Sequence, residues 1–355
     1  MSLRVGIDVT PLCGPPTGIH RVTRSLIEEL AHHADIEVTG WLLTSRGAVP
    51  DVAVDVRRSR VPARLAQMVW ARSALLGRTV TGPVDVAHGP NFMAPPRPTS
   101  VVSLQDLTPI THPEWCRPEV AAMAPAIRRA VASGATIHVS SRLVGDEARA
   151  HLDASDEQIR LVHHAVDAPV PADAATGHGV AGTDRYLLSL GTIEHRKNVV
   201  AAVRALRAVP EEISLVIAGH PGNAEDELVA ALADVDPARV RRLPVVDDHT
   251  RSALLRGATA LLWPSRYEGF ALPPLEALRV GTPVVATAVG ALPELVGDTI
   301  ALVRPGDDDA FTEAVAEIVD GDHAVPTAIV DRIADLTWER AAAEMAAIYR
   351  DVAGR

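Results

Sequence analysis

Two glutamates in one short segment have the spacing that most clearly indicates chemistry. Glu268 and Glu276 lie eight positions apart in a stretch that begins at Trp263 and reads Trp-Pro-Ser-Arg-Tyr-Glu-Gly-Phe-Ala-Leu-Pro-Pro-Leu-Glu. An ionised carboxylate only accepts hydrogen bonds, so it is well suited to the paired hydroxyl groups of a ribose or a hexose. We therefore expect these two side chains to bind a sugar nucleotide.

The residues around this pair predict a strand, a loop and a helix. Residues 258–262 form an apolar run of strand length, and Pro273 and Pro274 fit the first turn of a following helix, where proline costs little. The loop then carries backbone N–H groups and a helix N-terminus to the end of the strand, an arrangement that attracts phosphate. A simpler interpretation is that Glu276 complements the helix dipole and that Glu268 is solvated in the loop.

Two cations at another helix start form a second candidate group. Arg196 and Lys197 follow a strand-like run at 186–190 and a turn. Cations and N–H groups in such a position neutralise a diphosphate leaving group. An isolated Arg-Lys pair is more often simply solvated, so the surrounding residues must decide between the two interpretations.

Both segments resemble the signature of glycosyltransferase family 4. The first does so through Pro-Ser-x-Tyr-Glu-Gly-Phe-x-Leu-Pro-x-Leu-Glu-Ala, followed by Gly281-Thr-Pro-Val-Val. The second does so through Gly191-Thr-x-Glu-x-Arg-Lys-Asn. The resemblance covers nearly the whole chain and is most specific between Gly191 and Gly297.

The resemblance implies a fold and an activity. Family 4 enzymes have the GT-B fold and transfer a sugar with retention of its anomeric configuration. We therefore expect a retaining glycosyltransferase that moves a hexose, mannose or a related sugar, from a nucleotide diphosphate donor to an acceptor hydroxyl. The donor base is open between a GDP-sugar and a UDP-sugar, and the acceptor between a glycan, a lipid-linked molecule and a small molecule. No cofactor and no metal ion are expected.

The resemblance also assigns roles to individual residues. It implies that Glu276 binds the ribose hydroxyls, while Glu268 and the backbone that follows it meet the donor sugar and phosphates. The predicted catalytic residues are Glu268, Asp106, Arg196 and Lys197. The predicted donor-binding residues are Gly18, Thr192, Arg196, Lys197, Glu268, Gly269, Phe270, Ala271, Leu272 and Glu276. The predicted acceptor-side residues are His20, Arg21, His88 and Gln105.

Two positions depart from the family pattern. Thr192 stands where many relatives carry arginine, so we expect one phosphate contact to have moved to Arg196. Gln105 stands before Asp106 where histidine is common, and glutamine donates a hydrogen bond but cannot transfer a proton. Asp106 itself fits either a catalytic role or a simple cap at the end of a strand.

The loop after the first strand is a further part of the expected site. Asp8 and Thr17-Gly18-Ile19 resemble the family's first loop, which closes over the donor phosphate and part of the acceptor. The segment does not contain Gly-x-Gly-x-x-Gly, which argues against a nicotinamide enzyme. His20 and Arg21 fit an acceptor contact and an ordinary helix start equally well.

Length and pattern predict two domains. The chain has 355 residues, which is too long for one ordinary core, and strand-length apolar runs alternate with helical patterns in two series. We expect an α/β protein with two doubly wound, Rossmann-like domains facing across a cleft. The expected parts are an N-terminal acceptor domain at 1–168, a linker at 169–184, a nucleotide-sugar domain at 185–335 and a terminal helix at 336–355. The resemblance implies that this helix crosses back to the N-terminal domain.

Charge and hydropathy exclude some classes of protein. A net charge of −11 argues against a nucleic-acid binder. No segment approaches the ~18 apolar residues of a membrane span, and the chain starts with a strand-like run instead of a signal peptide. We therefore expect a cytoplasmic protein.

One segment is basic despite the acidic composition. Six arginines occur between Asp55 and Asp85 without an acidic residue among them, beside apolar residues at helical spacing: Arg57, Arg58, Arg60, Arg64, Arg72 and Arg78. A core-packed helix with solvated arginines is one interpretation. The other is peripheral contact with anionic lipid at the inner face of a membrane.

Metal binding and two other functions are the remaining alternatives. A strand would direct His163 and His164 to opposite sides, and the run Asp307-Asp308-Asp309 fits a helix N-cap, so neither predicts a metal site. A sugar-nucleotide epimerase or hydrolase of the same fold stays open. So does a catalytically silent nucleotide-sugar-binding protein, because of Gln105.

Overall fold

The protein consists of two compact units, each built around one parallel β-sheet. The computed structural model describes residues 2–14, 17–44, 48–321 and 323–354. The first unit comprises Met1–Ala165 and Leu336–Arg355, and the second comprises Val166–Asp335. Among the described residues, no helix combines the length and the apolar character that crossing a bilayer requires.

The first unit has a seven-stranded sheet in the order β3-β2-β1-β4-β5-β6-β7. Its strands are β1 Leu3–Asp8, β2 Ile36–Leu42, β3 Val56–Arg58, β4 Val86–Gly89, β5 Ser100–Leu104, β6 Thr136–Val139 and β7 Ile159–Leu161. Its helices are α1 Gly18–Leu30, α2 Ala63–Trp70, α3 Gly77–Thr81, α4 Thr108–Thr111, α5 Pro118–Ala121, α6 Ala124–Ala132, α7 Arg142–Leu152 and, after the second unit, α16 Trp338–Ala353. The strands are mostly buried apolar runs, as expected for a parallel sheet covered on both faces.

The second unit has a six-stranded sheet in the order β10-β9-β8-β11-β12-β13. Its strands are β8 Tyr186–Leu190, β9 Ser214–Ala218, β10 Val240–Leu243, β11 Ala260–Trp263, β12 Val284–Thr287 and β13 Leu302–Val303. Its helices are α8 Ala174–Ala181, α9 Val199–Ala205, α10 Glu225–Leu232, α11 Asp248–Gly257, α12 Leu272–Arg279, α13 Leu292–Val296, α14 Asp308–Asp320 and α15 Thr327–Ala334.

The terminal helix α16 is part of the core of the first unit. Thr337 caps it, because its hydroxyl oxygen accepts a hydrogen bond from the Arg340 N–H at 3.2 Å. Met345, Tyr349 and Val352 lie on one face of the helix and are fully or almost fully buried in the cluster that also contains β1 and α1 side chains. The unit is therefore assembled from both ends of the chain.

The segment expected to be a linker, 169–184, contains helix α8. Asp173 caps this helix by accepting a hydrogen bond from the Thr176 N–H at 2.7 Å. At Gly177 an added Cβ would lie 2.1 Å from the Ala253 carbonyl oxygen, so α8 packs against α11 at backbone contact. The sequence pattern did not show the helix because small residues, instead of an apolar stripe, make this contact.

Candidate active site

The topology of the second sheet determines where its candidate site lies. The chain runs from β8 outward through β9 to β10 and then returns to β11 on the other side of β8. Open parallel α/β sheets bind ligands beyond the carboxyl ends of the strands at such a reversal. The segment 191–198 leaves β8 at this point, and the segment 264–271 leaves β11. These two segments carry most of the predicted donor-binding residues.

A buried carboxylate joins the two segments. Glu268 accepts a hydrogen bond from Arg196 Nη1 at 2.5 Å through Oε2, and from Lys197 Nζ at 2.7 Å through Oε1. The Ser265 hydroxyl donates to the same Oε1 at 2.9 Å. The backbones are joined as well, since the Arg266 N–H donates to the Arg196 carbonyl oxygen at 2.7 Å. The expected convergence of Arg196, Lys197 and Glu268 is thus present, and Glu268 is not a solvated loop residue.

The charges of this cluster compensate one another. Burial raises the pKa of Glu268, but the nearby charges of Arg196 and Lys197 and their hydrogen bonds outweigh it and bring that pKa to about 2. Burial and the Arg196 charge lower the pKa of Lys197, against the opposing effect of Glu268. Glu194 also pairs with Arg196 Nε at 2.9 Å. Two positive and two negative groups therefore lie together where the strands end.

A small cavity lies directly beside the lysine. Thr192, Gly191 and Trp263 line it together with Lys197. The Lys197 ammonium nitrogen is 4.3 Å from the centre of the Trp263 ring, a distance typical of a cation–π contact. Thr192, which stands where many members of the resembled family carry arginine, therefore lines the same cavity as one of the two cations.

The loop between Glu268 and α12 has an unusual backbone. Ala271 has φ of 75°, a left-handed conformation that costs a non-glycine residue about 1–2 kcal/mol, and it is the N-cap of α12. Gly290 packs against Phe270 so closely that an added Cβ would lie 2.8 Å from the Phe270 carbonyl oxygen. The Ala291 N–H also donates to that oxygen at 3.1 Å. The predicted donor-binding loop of Gly269, Phe270, Ala271 and Leu272 thus packs against the segment at Gly290 and Ala291.

Glu276 is buried on α12 and is ion-paired. Its Oε1 lies 3.1 Å from Nη1 of Arg251, which belongs to α11 and also pairs with Asp248 at 3.2 Å. A carboxylate that only complemented the helix dipole would be exposed, so the simpler interpretation does not explain this position. No motif in the sequence indicated that Arg251 would pair with Glu276.

Two predicted residues of the first unit are used internally. His88 is fully buried, and its two ring nitrogens each lie 2.7 Å from a partner, Nε2 from the Ser103 hydroxyl and Nδ1 from the Tyr349 hydroxyl. Its assignment to the acceptor side is therefore corrected, because an acceptor has no access to it. Gln105 donates to the Pro90 carbonyl oxygen at 2.7 Å, and its Oε1 accepts from His164 Nε2 at 2.9 Å.

The contacts of His88 belong to a buried series of hydrogen bonds in which the donor and the acceptor of each bond can be assigned. His138 Nε2 lies 3.1 Å from the Val162 carbonyl oxygen, which can only accept, so this nitrogen carries the proton. His138 Nδ1 then accepts from the Ser103 hydroxyl, Ser103 accepts from His88 Nε2, and Tyr349 donates to His88 Nδ1. Burial lowers the pKa of His88 and brings that of His138 to about 4. The sequence pattern did not identify Ser103, His138 or Tyr349.

The other predicted residues of the first unit lie near strand ends and a helix start. Asp106 Oδ1 accepts from the Thr108 N–H at 3.0 Å and from its hydroxyl at 2.6 Å, so its side chain makes a local contact in the loop after β5, one residue before the N-cap of α4. Gly18, His20 and Arg21 lie in the first turn of α1, and burial followed by the Arg24 and Arg21 charges lowers the pKa of His20. Pro15 and Pro16 of the preceding loop lie outside the described residues.

Asp8 ends β1 at the reversal of the first sheet, between β1 and β4. Burial, opposed by hydrogen bonds from Thr10, raises the pKa of Asp8 to about 7. At the other carboxylate run, Asp307 caps α14 by accepting from the Ala310 N–H at 3.2 Å, as expected. Over the described ranges, no group of three or more His, Cys, Asp or Glu side chains is arranged to hold a metal ion.

Comparison with known proteins supports the resemblance to glycosyltransferases. The family model "Glycosyl transferases group 1" matches residues 174–329. The chain is 29% identical over 261 residues to O-antigen chain mannosyltransferase B of Escherichia coli, covering 67% of this chain and 66% of the relative. It is 31% identical over 214 residues to the MMP alpha-(1->4)-mannosyltransferase of Mycolicibacterium hassiacum, covering 57% and 50%. The matched part thus spans between half and two thirds of the length of these relatives.

Solved structures resemble the chain over nearly its whole length. The sucrose-phosphate synthase of Thermosynechococcus elongatus has a TM-score of 0.78 at 18% identity, with 98% of both chains covered. The Anabaena protein Alr3699/HepE in complex with UDP has a TM-score of 0.69 at 16% identity, with 99% of this chain and 100% of that chain covered. The fold class is confirmed as GT-B, with two Rossmann-like parallel-sheet units, and so is the resemblance to glycosyltransferases.

Replacing Glu268 by glutamine should lower the free energy of unfolding by about 3–5 kcal/mol at pH 7, because Arg196 and Lys197 lose their buried counter-charge. Since the folded-state pKa of Glu268 is depressed, its contribution is present above the ordinary value of 4.5 and is lost as the pH falls toward about 2. Chemical denaturation measures the difference. Glu212→Gln, in an exposed pair with Arg185, is the matched control and should leave stability nearly unchanged, because solvent screens an exposed pair. Equal effects of the two variants would contradict the compensating role of Glu268.

The buried histidines should make the first unit sensitive to acid. Burial, with His138 and His163 adding to it, lowers the pKa of His164 to about 3, so below pH 6.5 the unfolded chain binds a proton that the folded chain does not. Between pH 7 and pH 5, wild-type stability should therefore fall by about 2 kcal/mol more than that of His164→Gln. The exposed His32 provides the control variant His32→Gln. Identical pH slopes for wild type and His164→Gln in denaturant titrations would refute the prediction.

Proposed function

We propose that this protein is a retaining glycosyltransferase that moves a hexose, mannose or a related sugar, from a nucleotide diphosphate donor to an acceptor hydroxyl. The observation that carries the proposal is the buried cluster of Arg196, Lys197 and Glu268 at the strand reversal of the second sheet. The region matched by the glycosyltransferase family model includes this cluster. Two of the relatives are named as mannosyltransferases, which supports the choice of sugar.

Arg196 and Lys197 stabilise the departing diphosphate. Their positions are held by Glu268 and by the backbone hydrogen bond between Arg266 and Arg196 before any donor arrives. Cations that need no rearrangement during the reaction stabilise developing negative charge most effectively. At the α12 N-terminus, which follows the left-handed Ala271, Leu272 supplies a further N–H group toward the phosphates, and the positive end of the helix dipole adds to it, although Pro273 and Pro274 carry no N–H.

Glu268 holds the cations and does not accept a proton. A carboxylate with a pKa of about 2 that already accepts three hydrogen bonds is a poor base and a poor nucleophile at neutral pH. The proton of the acceptor hydroxyl therefore passes to an oxygen of the leaving diphosphate on the same face of the sugar. The new glycosidic bond forms on that face, so the anomeric configuration is retained.

Glu276 binds the ribose of the donor. In the structure its carboxylate is buried and positioned by Arg251, so it can accept hydrogen bonds from two neighbouring hydroxyls. The base is either guanine or uracil, and a protein of similar fold binds UDP. The acceptor is a glycan, a lipid-linked molecule or a small molecule, and Asp106, Gln105, His20, Arg21 and Gly18 remain predicted contacts in the first unit.

The ribose contact predicts how donor affinity depends on the 2′-hydroxyl. A panel of GDP- and UDP-sugars, screened by thermal shift, identifies the preferred donor through the stabilisation that it causes. Calorimetry should then show that the 2′-deoxy form of that donor binds wild type about 10–100-fold more weakly, the loss expected for a hydrogen bond to a charged group. Glu276→Gln should reduce this ratio to about 2–10-fold, because the amide oxygen still accepts a hydrogen bond but carries no charge, whereas the surface control Glu212→Gln should keep the wild-type ratio. A ratio unchanged by Glu276→Gln would exclude the ribose assignment.

The diphosphate contact predicts a loss of turnover. Lys197→Ala should lower kcat about 10²–10³-fold, the usual effect of removing one donor from a charge-stabilising site. The exposed Arg185→Ala should keep the wild-type rate. NMR of the product should show the anomeric configuration of the donor. Donor breakdown that needs no acceptor would favour a hydrolase, and donor binding without any turnover would favour a silent binding protein.

A further inference from the structure

A second functional surface lies on helix α2 of the first unit and on the segments beside it. We define the arginine surface as the exposed side chains of Arg57, Arg60, Arg64, Leu65, Met68, Arg72, Leu75 and Arg78. It falls in the segment 56–84, which contains six arginines and no acidic residue in a chain of net charge −11. Within the described ranges, no carboxylate lies within ion-pair distance of these five arginines.

The inner side of α2 accounts for its packing. Ala66 and Trp70 are fully buried, and the Trp70 ring meets the Trp41 ring edge to face at 6.1 Å between centroids. Trp70 Nε1 donates to the Leu75 carbonyl oxygen at 3.2 Å, which fixes the turn after the helix. The helix is therefore anchored to the core, as the first interpretation of this segment expected.

The outer side of α2 is not explained by packing. Leu65 is 41% exposed, Met68 is 55% exposed, and Leu75 in the following turn is 70% exposed. Leu65 and Met68 are three residues apart, so they lie on the same helix face, with Arg64 next to Met68 at the i,i+4 spacing. Arg72 is held beside them, because its Nη1 donates to the Met68 carbonyl oxygen at 3.1 Å.

We propose that the arginine surface docks on an anionic lipid bilayer. Apolar side chains interspersed with arginines suit the headgroup boundary, where the chains insert shallowly and the guanidinium groups meet phosphate oxygens. The charge pattern also favours one orientation, since the chain has a net charge of −11 and its acidic excess lies outside this segment, where an anionic surface repels it. Three apolar side chains are far too few for a stable protein interface, which needs about 800 Å² from each partner. This inference is independent of the proposed function.

Vesicle sedimentation with the full chain tests the proposal. Wild type should bind phosphatidylcholine vesicles that contain phosphatidylglycerol, should not bind vesicles of phosphatidylcholine alone, and should be released by high salt. Arg64→Ser with Arg72→Ser should weaken binding about thirtyfold, since each arginine near an anionic surface contributes about 1 kcal/mol. Leu65→Ser with Met68→Ser should weaken it about tenfold through the lost apolar burial.

Matched variants of the second unit serve as controls. Arg207→Ser with Arg304→Ser removes the same charge from other exposed positions. Val229→Ser with Val245→Ser removes apolar side chains that are 55% and 43% exposed, close to the values for Met68 and Leu65. Controls that weaken binding as much as the test variants, equal binding to neutral vesicles, or no binding by wild type would each overturn the proposal. So would a dimer in light scattering that Leu65→Ser with Met68→Ser dissociates, which would assign the surface to a second copy.

Discussion

The bridge from Glu268 to Arg196 and Lys197 is the interaction on which the candidate site depends. Two cations adjacent in sequence repel each other, and burial makes each of them more costly. The carboxylate offsets both effects and ties the segment after β8 to the segment after β11. A buried ion cluster is weak evidence of net stability, because desolvation cancels much of the attraction. The cluster instead restricts the positions of its side chains, since only a few arrangements leave all the charged groups paired.

The sheet topology explains why this bridge forms between residues 71 and 72 positions apart. In a parallel sheet the carboxyl ends of all strands meet at one edge, and only a reversal in strand order leaves two adjacent loops diverging to opposite sides. The second unit places β8 next to β11 there, and the first places β1 next to β4. The loop at Gly290 then supports the Glu268 loop from the next strand, β12. The order of the strands in the sheet thus brings together side chains that are far apart in the sequence.

Motif spacing predicted the second unit's site better than the first unit's. Strands at 186–190 and near 258–262 and the helix at Pro273 were foreseen, because apolar runs and prolines act locally. Arg251 was not foreseen as the partner of Glu276, since it comes from a different helix and no local pattern encodes that contact. His88 was assigned wrongly for the same reason, because its partner Tyr349 lies 261 residues away. Helix α8 was missed because glycine and alanine, which make its close contact with α11, leave no apolar stripe.

Buried titratable groups are ionised at the candidate site of the second unit but neutral in the hydrogen-bond series of the first. In the second, Glu268 stays ionised because two cations face it. In the first, His88 and His138 stay neutral because one nitrogen of each ring donates a hydrogen bond and the other accepts one. The series of hydrogen bonds ends at the Val162 carbonyl oxygen. A proton added to either histidine would place a second donor opposite a group that already donates. Histidine at the end of a parallel strand therefore indicates catalysis only when solvent reaches one of its nitrogens. In this unit burial also raises the pKa of the carboxylate of Asp8, at the end of β1, to about 7, which favours its neutral form.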